Sequence, residues 1–283
     1  MNVPQSKDTV KMISDVLAEP VSMDDAPTDE WKCPNCGSKN HHWIPTVAAI
    51  LGGPGDKWRP GMCENCRVRE QMMVERQAQY EAKEERKQRI LTLHKRASLP
   101  EEMARVKFSE LTIRTGAEEA FEELSSIDVG VDRNWLCLYG DNNTGKSKLL
   151  AATSNRQIGR FVPTLYLNES LFFKQIRESW DNRDESEGDI MGMFRLADVV
   201  LWDEFLFFNY MERSWIYERV YAILEYLAEQ NKKVVFATNI TNIRTRDCKD
   251  PSLTMEGRCG KRVFARLQRR NTRYIMMRNA PFY

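Results

Sequence analysis

The sequence predicts an α/β fold, a parallel sheet flanked by helices, preceded by a small cysteine-rich module and a connecting helix. From about residue 100 onward, short apolar runs alternate with helix-forming segments, which is typical of a parallel sheet covered on both faces. Residues 67–97 contain neither proline nor glycine, and two Cys-x-x-Cys pairs precede them. We therefore expect a flexible acidic tail (residues 1–30), a metal-binding module (31–67), a linker helix (68–99) and a larger α/β domain (100–283).

The composition is that of a globular protein, with 42% apolar and 29% charged residues. The net charge of +1 conceals an uneven distribution: residues 1–30 hold two lysines against seven acids, whereas 256–283 hold eight lysines or arginines against one acid. A basic end of this kind suits nucleic acid or a nucleotide phosphate, and the alternative is a solvated basic face. Because no apolar run approaches the length of a membrane span and residues 1–10 lack a signal-peptide core, we expect a cytoplasmic protein without a membrane partner.

The two cysteine pairs predict a structural zinc site. Nothing points to secretion, and in a reducing compartment paired cysteines indicate metal binding rather than disulfides. Each pair can aim two thiolates at one ion, and four sulfurs complete a tetrahedral set suited to zinc with no open catalytic position. The 26 residues between the pairs, with glycines at 52, 53 and 55, predict an inserted loop. His41 and His42 are the alternative ligands, but because the set of four cysteines is complete we expect neither to bind the metal. The expected zinc ligands are Cys33, Cys36, Cys63 and Cys66.

The secondary structure follows from apolar spacing and from breakers. A short helix is expected over residues 9–17, and a long one over 67–97, whose charged middle (81–89) indicates a solvent-exposed span. Further helices are expected at 117–125, after residue 147, at 169–180 and at 212–230, with an acidic loop at 181–189. The predicted strands cover residues 135–139, 164–167, 199–202 and 233–238.

The first of these strands leads into a loop that reads G-x-x-x-x-G-K-S. Glycines allow the backbone to approach phosphates, and loop N–H groups and the start of the next helix favour an anion. Lys146 would reach the β- and γ-phosphates, and the Ser147 hydroxyl would bind Mg²⁺. This order predicts a P-loop NTPase, the alternative being a turn that caps a helix. The expected nucleotide-binding residues are Gly140, Asp141, Asn142, Asn143, Thr144, Gly145, Lys146, Ser147 and Lys148.

Polar side chains follow the third and fourth predicted strands. Asp203 and Glu204 follow the third strand, where ligands bind in open α/β sheets, so Asp203 is expected to hold Mg²⁺ and Glu204 to polarise the attacking water. Asn239 follows the fourth strand and is expected to contact the γ-phosphate or the water. The alternatives are acids that cap a strand at the surface and an ordinary turn residue.

Two arginines downstream complete the candidate set. Arg262 and Arg266 are four residues apart and therefore share one face of a helix. An arginine that reaches a neighbouring subunit's nucleotide would stabilise charge on its γ-phosphate. The alternative is that both are solvated or paired with acids.

These motifs, in this order, resemble those of AAA+ ATPases of the DnaC/DnaI type, the bacterial and phage replicative helicase loaders. The resemblance covers residues 100–280 and rests on the phosphate loop, residues 199–204, 235–239 and 260–267, and the lead-in 106–109. It implies ATP and Mg²⁺, Arg266 as an arginine finger supported by Arg262, and ATP-dependent self-assembly. It also implies contact of residues 169–180 with single-stranded DNA and a grip of the zinc module on a hexameric replicative helicase. The family's sensor 2 arginine stays unassigned, because Arg278 lies in an expected strand.

Three functions are consistent with the sequence. The first is an ATP-dependent loader that binds the hexameric replicative helicase and places it on single-stranded DNA. The second is an IstB-like transposition helper ATPase, which has nearly the same core and would act with a transposase on double-stranded DNA. The third is a non-hydrolysing, zinc-dependent adaptor, which the presence of Lys146, Ser147, Asp203 and Glu204 disfavours.

Overall fold

The computed structural model describes residues 27–40, 43–46, 58–113, 115–127, 134–180 and 186–278. Several sequence predictions lie outside these ranges: the acidic tail up to residue 26 with its helix at 9–17, His41 and His42, the glycines at 52–55, and residues 181–185 of the acidic loop. The chain divides into two units, Met1–Ala82 and Lys83–Tyr283. Among the helices of the described ranges, none combines the length and the apolar character needed to cross a membrane.

In the first unit, short hairpins precede the long helix. Strand β1 (Trp31–Lys32) pairs antiparallel with β2 (Lys39–Asn40), and β3 (Trp43–Pro45) pairs antiparallel with β4 (Trp58–Pro60). The buried apolar cluster in the described part of this unit consists of Cys33, Cys63 and Cys66, with Trp31 and Met62 packed against it. So small a core contributes little hydrophobic stabilisation, so a bound metal would have to supply much of the folding energy.

The predicted long helix is confirmed as α1 (Glu64–Arg96). Its middle is mostly exposed, as the charge pattern indicates. Its last turns differ, because Leu93 is fully buried and Arg89 donates to the carbonyl of Leu196 and to Asp198. These turns therefore pack within the second unit rather than standing free in solvent.

The second unit contains a five-stranded parallel sheet. The strands are β5 (Leu136–Gly140), β6 (Thr164–Asn168), β7 (Val199–Asp203), β8 (Lys233–Thr238) and β9 (Arg273–Met277), in the order β6-β7-β8-β5-β9. The four predicted strands and the α/β fold class are confirmed. Strand β9 lies at one edge and ends at Met277, so Arg278 follows the strand instead of lying within it as expected.

The helices that cover the sheet largely agree with the prediction. They are α2 (Glu118–Ser126), α3 (Lys146–Gly159), α4 (Glu169–Ser179), α5 (Glu187–Met191), α6 (Met193–Leu196), α7 (Ser214–Glu229) and α8 (Met255–Arg269). The loop expected through residue 189 is wrong at its end, because helix α5 begins at Glu187. Ser186 and Asp189 form a capping box there, each side chain accepting from the other's backbone N–H.

Alternate strand residues enter two different cores. Cys137, Val200 and Phe236 belong to the apolar cluster on one face of the sheet, and Leu138 and Leu201 belong to the cluster on the other. Because successive side chains of a strand point to opposite faces and both faces are covered, the strands read as continuous apolar runs. The carboxyl ends of β5, β7 and β8 then lie side by side at one edge, where ligands bind in such sheets.

Candidate nucleotide site and metal centre

The predicted phosphate loop follows β5 and begins at a glycine that no other residue could replace without strain. Gly140 has a φ of 133°, and a Cβ at this position would overlap the carbonyl oxygen of Met277 on β9. Gly145, at the N-cap of α3, has a φ of 92°, and Asn143 has a φ of 62°. These left-handed conformations, which glycine and asparagine adopt at least cost, bend the chain into the start of the helix.

Lys146 is bound by the loop that precedes it. Its Nζ donates to the carbonyl oxygens of Gly140 (3.0 Å) and Asp141 (2.6 Å) and contacts the hydroxyl of Thr144 at 3.2 Å. Burial lowers the pKa of this lysine to about 8, although the charges of Asp203 and Asp141 oppose the change. The ammonium is therefore mostly charged at neutral pH, and a phosphate would compete for it with the loop carbonyls.

Asp203 is buried at the end of β7 and is held from two directions. Its Oδ2 accepts a hydrogen bond of 2.6 Å from the hydroxyl of Tyr166, and its Oδ1 accepts one of 3.0 Å from the backbone N–H of Glu204. Tyr166 lies on β6, beside β7, and burial together with the charge of Asp203 raises the pKa of its hydroxyl, so that it stays a donor. Asp203 and Ser147 line the same cleft, and an oxygen set of this kind suits Mg²⁺.

Glu204 has an unusual backbone for a bulky residue, with a φ of 54°. Its Oε2 lies 3.3 Å from the hydroxyl of Ser170, whose single proton is shared between this carboxylate and the Oδ1 of Asn168, 2.8 Å away. Asn168 is the N-cap of α4. A strained backbone held by surrounding contacts is frequent where a side chain must be aimed.

A buried carboxylate organises the segment after Glu204. Glu169, the first residue of α4, is fully buried, and burial raises its pKa to about 7. Its oxygens accept from one indole N–H, one tyrosine hydroxyl and two backbone N–H groups, those of Trp202, Tyr210, Leu206 and Phe208. The first turn of α4 thereby fixes both the end of β7 and the chain that follows it.

These elements enclose a cleft of about 850 Å³. Its polar lining includes Asp203, Glu204, Asn239 and residues 142–148. Apolar side chains from the segment before β5 also line it, including Met103, Leu111, Ile113 and Phe121. A pocket of this size, with both polar and apolar lining, suits a nucleotide with its phosphates on the loop. The apolar part of the lining was not predicted from the sequence.

Arg262 and Arg266 are not among the residues that line this cleft. Both lie on α8, after a break at Gly260, and both contact α7. Arg266 forms an ion pair with Glu225, and the guanidinium of Arg262 lies 4.4 Å from the centre of the Tyr221 ring. Within the described residues of this chain, the two arginines therefore have intramolecular partners away from the candidate nucleotide site.

The predicted metal ligands come together in the first unit. The sulfur atoms of Cys33, Cys36, Cys63 and Cys66 all lie within 4.8 Å of one another, and those of Cys36 and Cys63 are 3.6 Å apart. A tetrahedral zinc site with bonds of about 2.3 Å requires sulfurs about 3.8 Å apart, so the cluster fits zinc. The backbone N–H of Cys63 donates to the sulfur of Cys33 at 3.3 Å and is the main reason that the pKa of Cys33 falls to about 6.

Comparison with known proteins identifies the larger unit. The family model described as the bacterial DnaA ATPase domain matches residues 105–248, which are 144 of the 283 residues. This chain belongs to the bacterial DnaA ATPase-domain family. The matched range contains the phosphate loop, Asp203, Glu204 and Asn239, and membership of the family gives the unit an ATP-binding AAA+ fold.

Individual relatives agree with this family. The chromosomal replication initiator protein DnaA of Bifidobacterium animalis subsp. lactis (strain AD011) is 29% identical over 129 residues, which are 43% of this chain and 22% of that protein. The crystal structure of the DnaC helicase loader matches with a TM-score of 0.50 and 13% identity, over 63% of this chain and 100% of that chain. The crystal structure of DnaI matches with a TM-score of 0.50 and 20% identity, over 64% of this chain and 96% of that chain. The predicted resemblance to DnaC/DnaI-type AAA+ proteins is thus confirmed.

Proposed function

We propose that this protein is an ATP-dependent loader that binds a hexameric replicative helicase and places it on single-stranded DNA in the cytoplasm during replication initiation. The observation that carries the proposal is the extent of the structural match. The match takes up 63% of this chain and all of the solved DnaC helicase loader chain, and 64% of this chain and 96% of the solved DnaI chain. A four-cysteine module before the larger unit (31–67) and the helix that connects them (68–99) would form the part that grips the helicase.

In this proposal the cleft hydrolyses ATP mainly by positioning its groups. Lys146 turns from the loop carbonyls to the β- and γ-phosphates, and the N–H groups of the loop bind the phosphate oxygens. Glu204, held by Ser170, orients the attacking water, and Asn239 contacts the water or the γ-phosphate. Mg²⁺, held by Ser147 and Asp203, would neutralise charge on the phosphates.

Assembly and DNA contact would involve other faces of the same unit. Arg266, supported by Arg262, would act on the nucleotide of a neighbouring copy, since neither lines the cleft of its own chain.

On α4, Phe172 and Ile176 are buried, whereas Lys174 and Arg177 are exposed. The exposed pair could contact the phosphates of single-stranded DNA, a contact that salt would weaken.

The test is light scattering on a size-exclusion column, with the protein mixed with the replicative helicase of its own source, with and without ATP. We expect a large complex that weakens in Cys33→Ser. The matched control is Cys248→Ser, which removes a partly exposed thiol outside the metal cluster. Absence of a complex under every condition would contradict the loader function and would favour the transposition helper, for which a transposase is the next partner to test.

A further inference from the structure

Two side-chain contacts connect helix α7 with helix α8, and the contacting residues have the same spacing on both helices. Tyr221 and Glu225 are four residues apart on α7, and Arg262 and Arg266 are four residues apart on α8. Arg266 pairs with Glu225, and Arg262 stacks on Tyr221. Because residues four apart share one face of a helix, both arginines are held by one face of the preceding helix.

The pair between Arg266 and Glu225 is partly shielded from water. The side chain of Arg266 is 18% exposed and that of Glu225 is 32% exposed. A hydrogen bond between two ionised groups is stronger than one between neutral groups, and partial burial reduces its screening by salt. The pair therefore competes with any other use of the Arg266 charge.

The helices beneath the pair are fixed. Val263 and Leu267 of α8 and Ile223 and Leu224 of α7 are buried in the core. Moving either helix would disrupt this packing, whereas a rotation of the Arg266 side chain about its own bonds would leave the helices in place. Within the part of the chain that the structure describes, Glu225 is the ion-pair partner of Arg266, and release of Arg266 requires the loss of this contact.

We propose that Glu225 is a positioning residue that restrains Arg266 on its own subunit and thereby raises the protein concentration at which ATP-dependent assembly activates hydrolysis. The inference rests on the proposed function, in which Arg266 acts on the nucleotide of a neighbouring copy. The contact with Glu225 uses Nη2, one of the three nitrogens of the guanidinium, and holds the group against α7. In this inference, assembly draws the guanidinium away from Glu225 towards the nucleotide of the neighbouring copy. Tyr221 restrains Arg262 in the same way.

The experiment measures ATP hydrolysis per subunit over a range of protein concentrations. We expect Glu225→Gln to reach half-maximal activity at a concentration about two- to five-fold lower than wild type, the factor that a partly exposed ion pair contributes. Glu225→Asp, which keeps the charge, should return the midpoint towards that of wild type. Glu187→Gln is the matched control, because it breaks another ion pair of α7, the one between Glu187 and Arg219. The side chain of Arg219 is 24% exposed and that of Glu187 is 30% exposed.

Two results would overturn the inference while leaving the proposed function intact. An unchanged midpoint in Glu225→Gln, with hydrolysis lost in Arg266→Ala, would make the pair merely structural. A loss of hydrolysis in Glu225→Gln like that in Arg266→Ala would mean that Glu225 presents the arginine instead of restraining it. If Arg266→Ala hydrolyses ATP like wild type at all concentrations, the assignment of the finger itself fails. Circular dichroism and thermal melting would verify that each variant is folded.

Discussion

The buried carboxyl group of Glu169 should give the fold a pH dependence that a glutamine in its place removes. This carboxyl group accepts four hydrogen bonds, so it is well placed as a carboxylate. Burial nevertheless opposes its charge more strongly than these donors favour it, and its pKa rises from 4.5 to about 7. Because Glu169 fixes the segment after Glu204, the same group links the stability of the fold to the geometry of the candidate nucleotide site.

The size and sign of the effect follow from the pKa. Each pKa unit corresponds to about 1.4 kcal/mol, so the difference between the folded and unfolded chains is worth about 3 kcal/mol. Between pH 4.5 and 7, the folded state binds the proton of Glu169 more tightly than the unfolded chain does. The stabilisation by protonation is therefore fully present below pH 4.5, decreases as the pH rises and is lost above pH 7.

The assay is urea unfolding of wild type and Glu169→Gln, followed by tryptophan fluorescence between pH 5 and pH 8. The free energy of unfolding of wild type should fall by about 2.5 kcal/mol relative to the variant over this range, whatever the absolute cost of the substitution. Subtracting the variant removes the contributions of the other titrating groups. Glu178→Gln is the control, since it changes an exposed glutamate of the same helix. A difference between wild type and Glu169→Gln that stays constant with pH would refute the reasoning.

Three further predictions concern the end of strand β5, the proposed magnesium ligand and the candidate metal centre. In a denaturant titration, Gly140→Ala should lower the free energy of unfolding by about 3 kcal/mol or more, because the added Cβ overlaps a carbonyl oxygen of β9. The control Gly159→Ala has open space around the added Cβ and should not destabilise the fold. Tyr166→Phe removes the hydroxyl that holds Asp203 and should raise the Mg²⁺ concentration for half-maximal ATP hydrolysis about ten-fold; an unchanged requirement would show that the hydroxyl does not orient the carboxylate. A strong zinc chelator should release zinc, measured with a colorimetric dye, and should increase proteolysis of the cysteine module. The metal assignment would be contradicted if the purified protein contained no zinc and the chelator left its resistance to protease unchanged.

The parts of the fold that could be predicted are those that depend on residues close together in the sequence. Strands β5 to β8 were predicted because each is buried on both faces and is therefore a continuous apolar run. The phosphate loop was predicted because its residues are contiguous and are followed at once by a helix. A strand was expected around Arg278, but it was not assigned to the sheet, because β9 is an edge strand with only some of its side chains buried and its apolar pattern is weaker.

The supporting residues of the candidate site could not be predicted in the same way. Tyr166 and Ser170 reach Asp203 and Glu204 only because β6 pairs with β7, and they lie 37 and 34 residues away in the chain. The role of Glu169 depends equally on this pairing. The sequence left open whether Arg266 is paired with an acid, and the register between α7 and α8 supplies Glu225 as its partner.

The most direct test of this account compares ATP binding with ATP hydrolysis in three proteins: wild type, Glu204→Gln and Lys146→Ala. Binding is followed by calorimetry and hydrolysis by phosphate release, in the presence of Mg²⁺ and at a protein concentration that supports assembly. We predict that Glu204→Gln binds ATP like wild type but hydrolyses it at least about 100-fold more slowly, and that Lys146→Ala binds it weakly. Hydrolysis by Glu204→Gln at the wild-type rate, or none by wild type itself, would contradict the assignment of this cleft as an ATP-hydrolysing site.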